Sequence, residues 1–217
     1  RELSAQTDRP LVPLGNGVEY ERFAAPREVP AELAALPRPR IGYLGLLSHF
    51  LDFELLEALR RARRGGTLVL LGPGDPATAA QVRALAAREG VAVLGPQPYA
   101  DVPAWLQGLD VGVIPFRAGL PHVQGINPNK VYQYLAAGLP VVTTPVLDLA
   151  PAPPLLQFAA DLPGWEAAVA RALDAPRDAA AARALARPHD WDALAARMVG
   201  EIERRVAGPA GGRSATS

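Results

Sequence analysis

The sequence predicts an α/β fold, a parallel sheet with helices on both faces and a helical C-terminal segment behind it. Three observations carry this. Short apolar runs of strand length recur at 41–45, 67–72, 91–94, 111–116 and 141–144. Stretches with helical apolar spacing lie between them, and such alternation builds parallel sheets covered on both sides. Beyond Pro163 the spacing is helical throughout, which gives the terminal segment.

In chain order, residues 1–9 are polar and expected to be loose. Leu11-Val12-Pro13-Leu14 predicts a short strand, and Gly15-Asn16-Gly17 a turn from which Val18 to Phe23 leads away. Pro26, Pro30, Pro37 and Pro39 mark 24–39 as a linker around a short helix. Ile41 to Gly45 is a strand. Leu51 to Arg63 is an amphipathic helix with Leu51, Leu55, Leu56 and Leu59 inward. Thr67 to Gly72 is a buried strand, Ala77 to Glu89 a helix, Val91 to Leu94 a strand, Val102 to Leu109 a short helix and Val111 to Phe116 a strand. A glycine-containing loop, 117–126, leads to a further helix and to the strand 141–144. Leu155 to Ala159 predicts a sixth strand. Trp165 to Leu173, Arg177 to Ala186 and Asp190 to Val206 predict helices, with the last seven or so residues disordered. Asp52 and Glu54 are expected to cap or line the first long helix, and Asp101 to cap the helix at 102–109. Asp110 precedes a strand. Trp105, Trp165 and Trp191 fall at helical positions and are expected in the core. His189, beside Asp190, reads as structural.

The helix beginning near Asn127 has both ends marked. Asn127 suits the N-cap, where its side-chain oxygen can accept a first-turn amide. Pro128 suits the first helical position, Gly138 the left-handed stop, and Pro140 prevents continuation. Val131, Leu135 and Gly138 share one face, and Asn129, Lys130 and Gln133 another. A cation in the first turn is mildly unfavourable, by about 0.3–1 kcal/mol when exposed. It makes sense in front of an anion, because free amides and an ammonium together form a phosphate site.

Composition narrows the class. The chain has 217 residues, 49% hydrophobic and 20% charged, with zero net charge. That supports one good-sized core and no nucleic-acid or polyanion surface. There is no cysteine, so no disulfide framework and no thiolate metal site. The three histidines show no metal-ligand spacing, and no metal is expected. No apolar run approaches the roughly 20 residues of a membrane span, which predicts a cytoplasmic protein. The chain begins at Arg1, so an absent leader carries little weight.

Ligands of parallel sheets bind beyond the carboxyl ends of the strands. The loops Gly45 to His49, Gly72 to Asp75, Gly95 to Tyr99 and Pro115 to Asn127 gather there, beside the N-terminus of the marked helix. Three of them open with Gly, where backbone can approach a ligand closely. Neither Gly-x-Gly-x-x-Gly nor a Walker lysine motif is present. No Ser-His-Asp set and no carboxylate pair stands out as acid and base.

In order, Gly45-Leu46-Leu47-Ser48, Leu70-Leu71-Gly72-Pro73-Gly74, Val93-Leu94-Gly95-Pro96, Val111-Gly112-Val113-Ile114-Pro115-Phe116 and Asn127-Pro128-Asn129-Lys130 to Val142 resemble the C-terminal domain of GT-B glycosyltransferases. The resemblance, over about residues 11–206, is to bacterial enzymes of cell-surface polysaccharide synthesis such as teichuronic acid glycosyltransferases. It implies one Rossmann-like half of a GT-B enzyme. Residues 1–39 would be the end of a missing N-terminal domain plus linker, 40–187 the donor-binding domain, 188–207 the crossover helix and 208–217 a disordered tail. It implies transfer of a sugar from a UDP- or GDP-type nucleotide sugar, as substrate rather than cofactor, to a glycan or lipid-linked acceptor. The absent domain would supply the acceptor site, the catalytic base and peripheral association with the inner face of the membrane.

By the same resemblance Gly45, Ser48, Asn127, Asn129 and Lys130 would hold the donor diphosphate. Gly72, Gly95, Gln97, Tyr99 and Gln133 would serve the ribose and base, and His49 and His122 are further candidates. Two departures stand out. Many relatives carry two Glu where this chain has Gly125 and Gln133, and basic residues where Ser48-His49-Phe50 stands. These leave open a non-catalytic nucleotide- or partner-binding module, or a nucleotide-sugar epimerase on the same scaffold.

Overall fold

A computed structural model describes residues 11–120, 123, 126–145 and 149–206. Residues 1–9, His122, Gly125 and the tail 208–217 lie outside them. The elements are α1 (Tyr20–Ala24), α2 (Ala31–Ala34), β1 (Arg40–Leu44), α3 (Phe53–Arg61), β2 (Thr67–Leu71), α4 (Ala79–Ala86), β3 (Val91–Val93), α5 (Val102–Gln107), β4 (Val111–Ile114), α6 (Asn129–Ala136), β5 (Val141–Thr143), β6 (Leu156–Phe158), α7 (Leu162–Asp174), α8 (Ala179–Ala186) and α9 (Trp191–Val206).

The six strands form one parallel sheet in the order β3-β2-β1-β4-β5-β6. This is a doubly wound, Rossmann-like sheet, whose winding reverses between β1 and β4. Contacts sort the helices accordingly: α3 packs with α7, while α6 packs with α8 and α1. Both faces are therefore covered, and β1, β2, β4 and β5 are buried almost throughout. That explains their continuous apolar runs in place of alternation.

Caps set the boundaries. Asp52 Oδ1 accepts the Leu55 amide at 3.0 Å, so α3 starts at Phe53. It buries Leu55, Leu56, Ala58 and Leu59, worth about 1.5–3 kcal/mol for each large side chain. Gly138 ends α6 at φ +79°, and its missing Cβ leaves room for Ala179 of α8.

Four expectations need correction. Residues 11–14 form no strand; Pro13 lacks an amide to pair, and its carbonyl accepts from Arg197 at 2.6 Å. Trp191 is 47% exposed, unlike Trp105 and Trp165, because it opens α9 rather than lying inside a packed face. Asp101 makes no side-chain cap; its carbonyl alone accepts from the turn. Asn127 does not cap α6, whose N-cap is Pro128; its Oδ1 instead accepts the Tyr132 hydroxyl at 2.8 Å.

Candidate functional site

The site lies where β1 and β4 part. Their pairing runs through Gly42↔Gly112 and stops, while β1 stays paired with β2 as far as Leu44↔Leu71. The Leu44 amide is thus left without a strand partner. Tyr134 of α6, fully buried, fills the gap: its hydroxyl accepts that amide at 2.7 Å, and its ring lies against Gly112. Burial pushes the phenol well above the usual range, with the Leu44 amide working against it, so it stays neutral.

Next along the chain, Gly45 has φ +141°, and a Cβ there would sit 2.9 Å from both Lys130 Nζ and the Tyr43 hydroxyl. The bare glycine lets the lysine close onto the β1 loop. Lys130 Nζ lies 5.3 Å from the ring centroids of Tyr43 and Phe116, a distance at which ring quadrupoles attract a cation. Among the described residues no carboxylate pairs with it. Burial pushes its pKa down to about 8. The amides of Asn129 and Lys130, in the first turn of α6, find no acceptor among those residues either. An ammonium and two free amides therefore face the sheet's switch point together.

The other expected site residues are placed as follows. Ser48 is 3% exposed on the β1 loop. Asn129 is exposed at the start of α6. Asn127 spends its side chain on Tyr132, and its carbonyl accepts from Asn16 at 3.2 Å. Gly72 is buried, and its missing Cβ makes room for the Gly45 carbonyl, which would be 2.1 Å away. Gly95 faces open space and accepts the Gly72 amide at 2.8 Å. Gln97 turns back to donate to the Leu94 carbonyl at 2.8 Å. His49 is exposed, 3.9 Å from Asp75 and against the Phe50 ring. Gln133 is 7% exposed, so the polar face of α6 is buried at that position, while Asn129 at its start is exposed. Tyr99 and Gln133 meet: burial, then Glu19, raise the Tyr99 pKa, and Gln133 works the other way.

Sequence reading missed Tyr134, Tyr43, Phe116 and Glu19. One signal was available for Lys130. It is the chain's single lysine among 22 basic residues. In a composition that otherwise uses Arg, a lone ammonium marks a place where a compact, buryable cation is needed. A cavity of about 690 Å³ borders Phe116 on the side of α3, α4 and α7, lined by Phe53, Leu85 and Trp165 among others; it does not include Lys130. Among the described residues no group of three or more potential metal-ligating side chains converges, and no helix is long and apolar enough to cross a membrane.

The family described as "Glycosyl transferases group 1" matches residues 38–202. The chain is 30% identical over 131 residues to TuaH of Bacillus subtilis (strain 168), named for teichuronic acid biosynthesis as a glycosyltransferase. The match covers 59% of this chain and 33% of TuaH. Solved structures share the fold: AviGT4, a glycosyltransferase involved in avilamycin A biosynthesis, superposes with a TM-score of 0.65 at 20% identity, over 93% of this chain and 60% of that one. Anabaena Alr3699/HepE in complex with UDP gives 0.63 at 15% identity, over 86% and 56%. The chain thus spans a third of the length of TuaH and a little over half of these structures.

Proposed function

The chain belongs to the group 1 glycosyl transferases, and from that premise we propose that it is the C-terminal, donor-binding half of a transferase that uses a nucleoside diphosphate sugar. One observation carries the reading: the chain's single lysine is held, without a carboxylate partner among the described residues, over a glycine at the switch point of the sheet. Such a cation is incomplete by itself. A diphosphate would supply two negative charges and several acceptors to Lys130 and to the amides of Asn129 and Lys130. When the sugar departs, charge develops on the leaving diphosphate, and these donors are already aimed at it. HepE was crystallised with UDP, with UDP and glucose, and with UDP-glucose, which supports a donor of that type. The acceptor would be a glycan or a lipid-linked saccharide, brought by the other half of the enzyme at the inner face of the membrane. Lys130 and the amides would do the work a metal ion does elsewhere.

The pH dependence of binding tests this. Only the protonated amine pairs with a diphosphate. Lys130 has a folded-state pKa of about 8, below its ordinary 10.5. Titration calorimetry with UDP and GDP should therefore show affinity that changes by no more than about twofold from pH 7 to 8. Above 8 the affinity should fall by up to about tenfold per pH unit, until the higher pKa of the complex is passed. Stability of the free chain runs the other way. Between about pH 8 and 10.5 the unfolded chain binds more protons at this position than the folded one, so unfolding free energy from Lys130 rises with pH. Affinity that is flat to pH 10, or no binding of any nucleoside diphosphate, would refute the reading.

A further inference from the structure

We infer that Glu19, brought in from outside the sheet, is the carboxylate that recognises the ribose of the donor, acting beside Tyr99 and Gln133. This deepens the nucleotide reading and rests on it. Glu19 precedes α1 and makes no capping bond to it. It faces the Tyr99 phenol instead, the same phenol that Gln133 meets. The group is fixed from several directions. The Phe23 ring meets Tyr99 edge-on at 5.9 Å, and the Arg22 guanidinium lies 5.5 Å over the Tyr99 ring. Arg22 Nε is 3.2 Å from Glu19 Oε2. Helix α1 packs against α6, so a segment far away in sequence delivers its carboxylate to the polar face of the diphosphate helix.

Position and chemistry then select the ligand group. Gln133 lies one turn beyond Lys130 on the same face of α6. A nucleoside diphosphate gripped at Lys130 would present its ribose next along that face. A vicinal diol offers two hydroxyl donors. An ionised carboxylate is acceptor-only and can take both, whereas Gln offers one acceptor oxygen and two donors. Hydrogen bonds to a charged acceptor are also roughly twice as strong as neutral ones. Glu19 is 43% exposed on its side chain, so its oxygens remain open to a ligand despite Arg22. The helix contributes a neutral amide at 133, and the linker contributes the charge.

The test compares UDP and GDP with their 2′-deoxy and 3′-deoxy counterparts on the 217-residue chain. The wild-type chain should prefer the ribonucleotide by about tenfold. Glu19→Gln should weaken ribonucleotide binding by about that factor, weaken each deoxy form, which keeps one hydroxyl, distinctly less, and keep the melting temperature. Adding Gln133→Glu to that variant should restore the preference. An unaltered preference in Glu19→Gln, or an equal loss for ribo and deoxy forms, overturns this inference while leaving the Lys130 site standing. Absence of any nucleotide binding by the wild-type chain overturns both.

Discussion

Lys130→Met is expected to remove nucleoside diphosphate binding and, in the same molecule, to raise the melting temperature. The two effects share one cause. The ammonium sits among Tyr43, Phe116 and Gly45 without an anionic partner among the described residues, and burial holds its pKa near 8. At neutral pH the free chain therefore carries a cation in an unfavourable place. Met keeps an apolar stem of similar length and makes its own favourable contact with aromatic rings. After allowing for the lost attraction to the two rings, the gain should be about 1–2 kcal/mol, or a few degrees for a chain of this size. Binding loses both the charge and its hydrogen bonds to the diphosphate. At about 1.5–3 kcal/mol for each charge-assisted bond, affinity should fall by about a hundredfold or more. Scanning calorimetry and nucleotide titration on the same preparation read both effects. A variant that melts lower and still binds would show that the amine is packing rather than machinery.

Tyr134→Phe is expected to destabilise the chain by about 1–3 kcal/mol, although it removes a single oxygen. The Leu44 amide has no strand partner once β1 and β4 separate, and the Tyr134 hydroxyl is its acceptor at 2.7 Å. The ring is fully buried, so no water can take over. A buried donor left without an acceptor carries its full desolvation cost. Leu44 is next to Gly45, and the loosened strand end should also weaken nucleotide binding. Gly112→Ala presses on the same wedge from the opposite side, with a new Cβ 2.4 Å from Tyr134 Cδ2. Overpacking of that kind costs about 1–3 kcal/mol. Urea unfolding at pH 7 measures both. If Tyr134→Phe left the midpoint unchanged, the hydroxyl would not be what closes the end of β1.

Much of the fold was legible because it is written in local terms. Continuous apolar runs mark strands buried on two faces, and Asp52 and Gly138 mark helix ends by their own side-chain and backbone chemistry. Errors arose where a local signal had a distant competitor. Asn127 has the chemistry of a cap, but the Tyr132 hydroxyl takes its oxygen. Trp191 has helical spacing, but it opens α9 and stays 47% exposed. Gly72 has the freedom to admit a ligand, yet the Gly45 carbonyl occupies that space.

The sequence by itself determined that strands and helices alternate, that α6 stops at Gly138, and that its first turn carries the chain's single lysine. Periodicity and capping reach no further than a turn or two. Only the tertiary structure decided that this lysine turns inward between Tyr43 and Phe116, that Tyr134 wedges the switch point, and that Glu19 and Gln133 both reach Tyr99. Those meetings depend on strand order and on the crossover that carries α6 back over β1 and β4, and no spacing within a single segment records them.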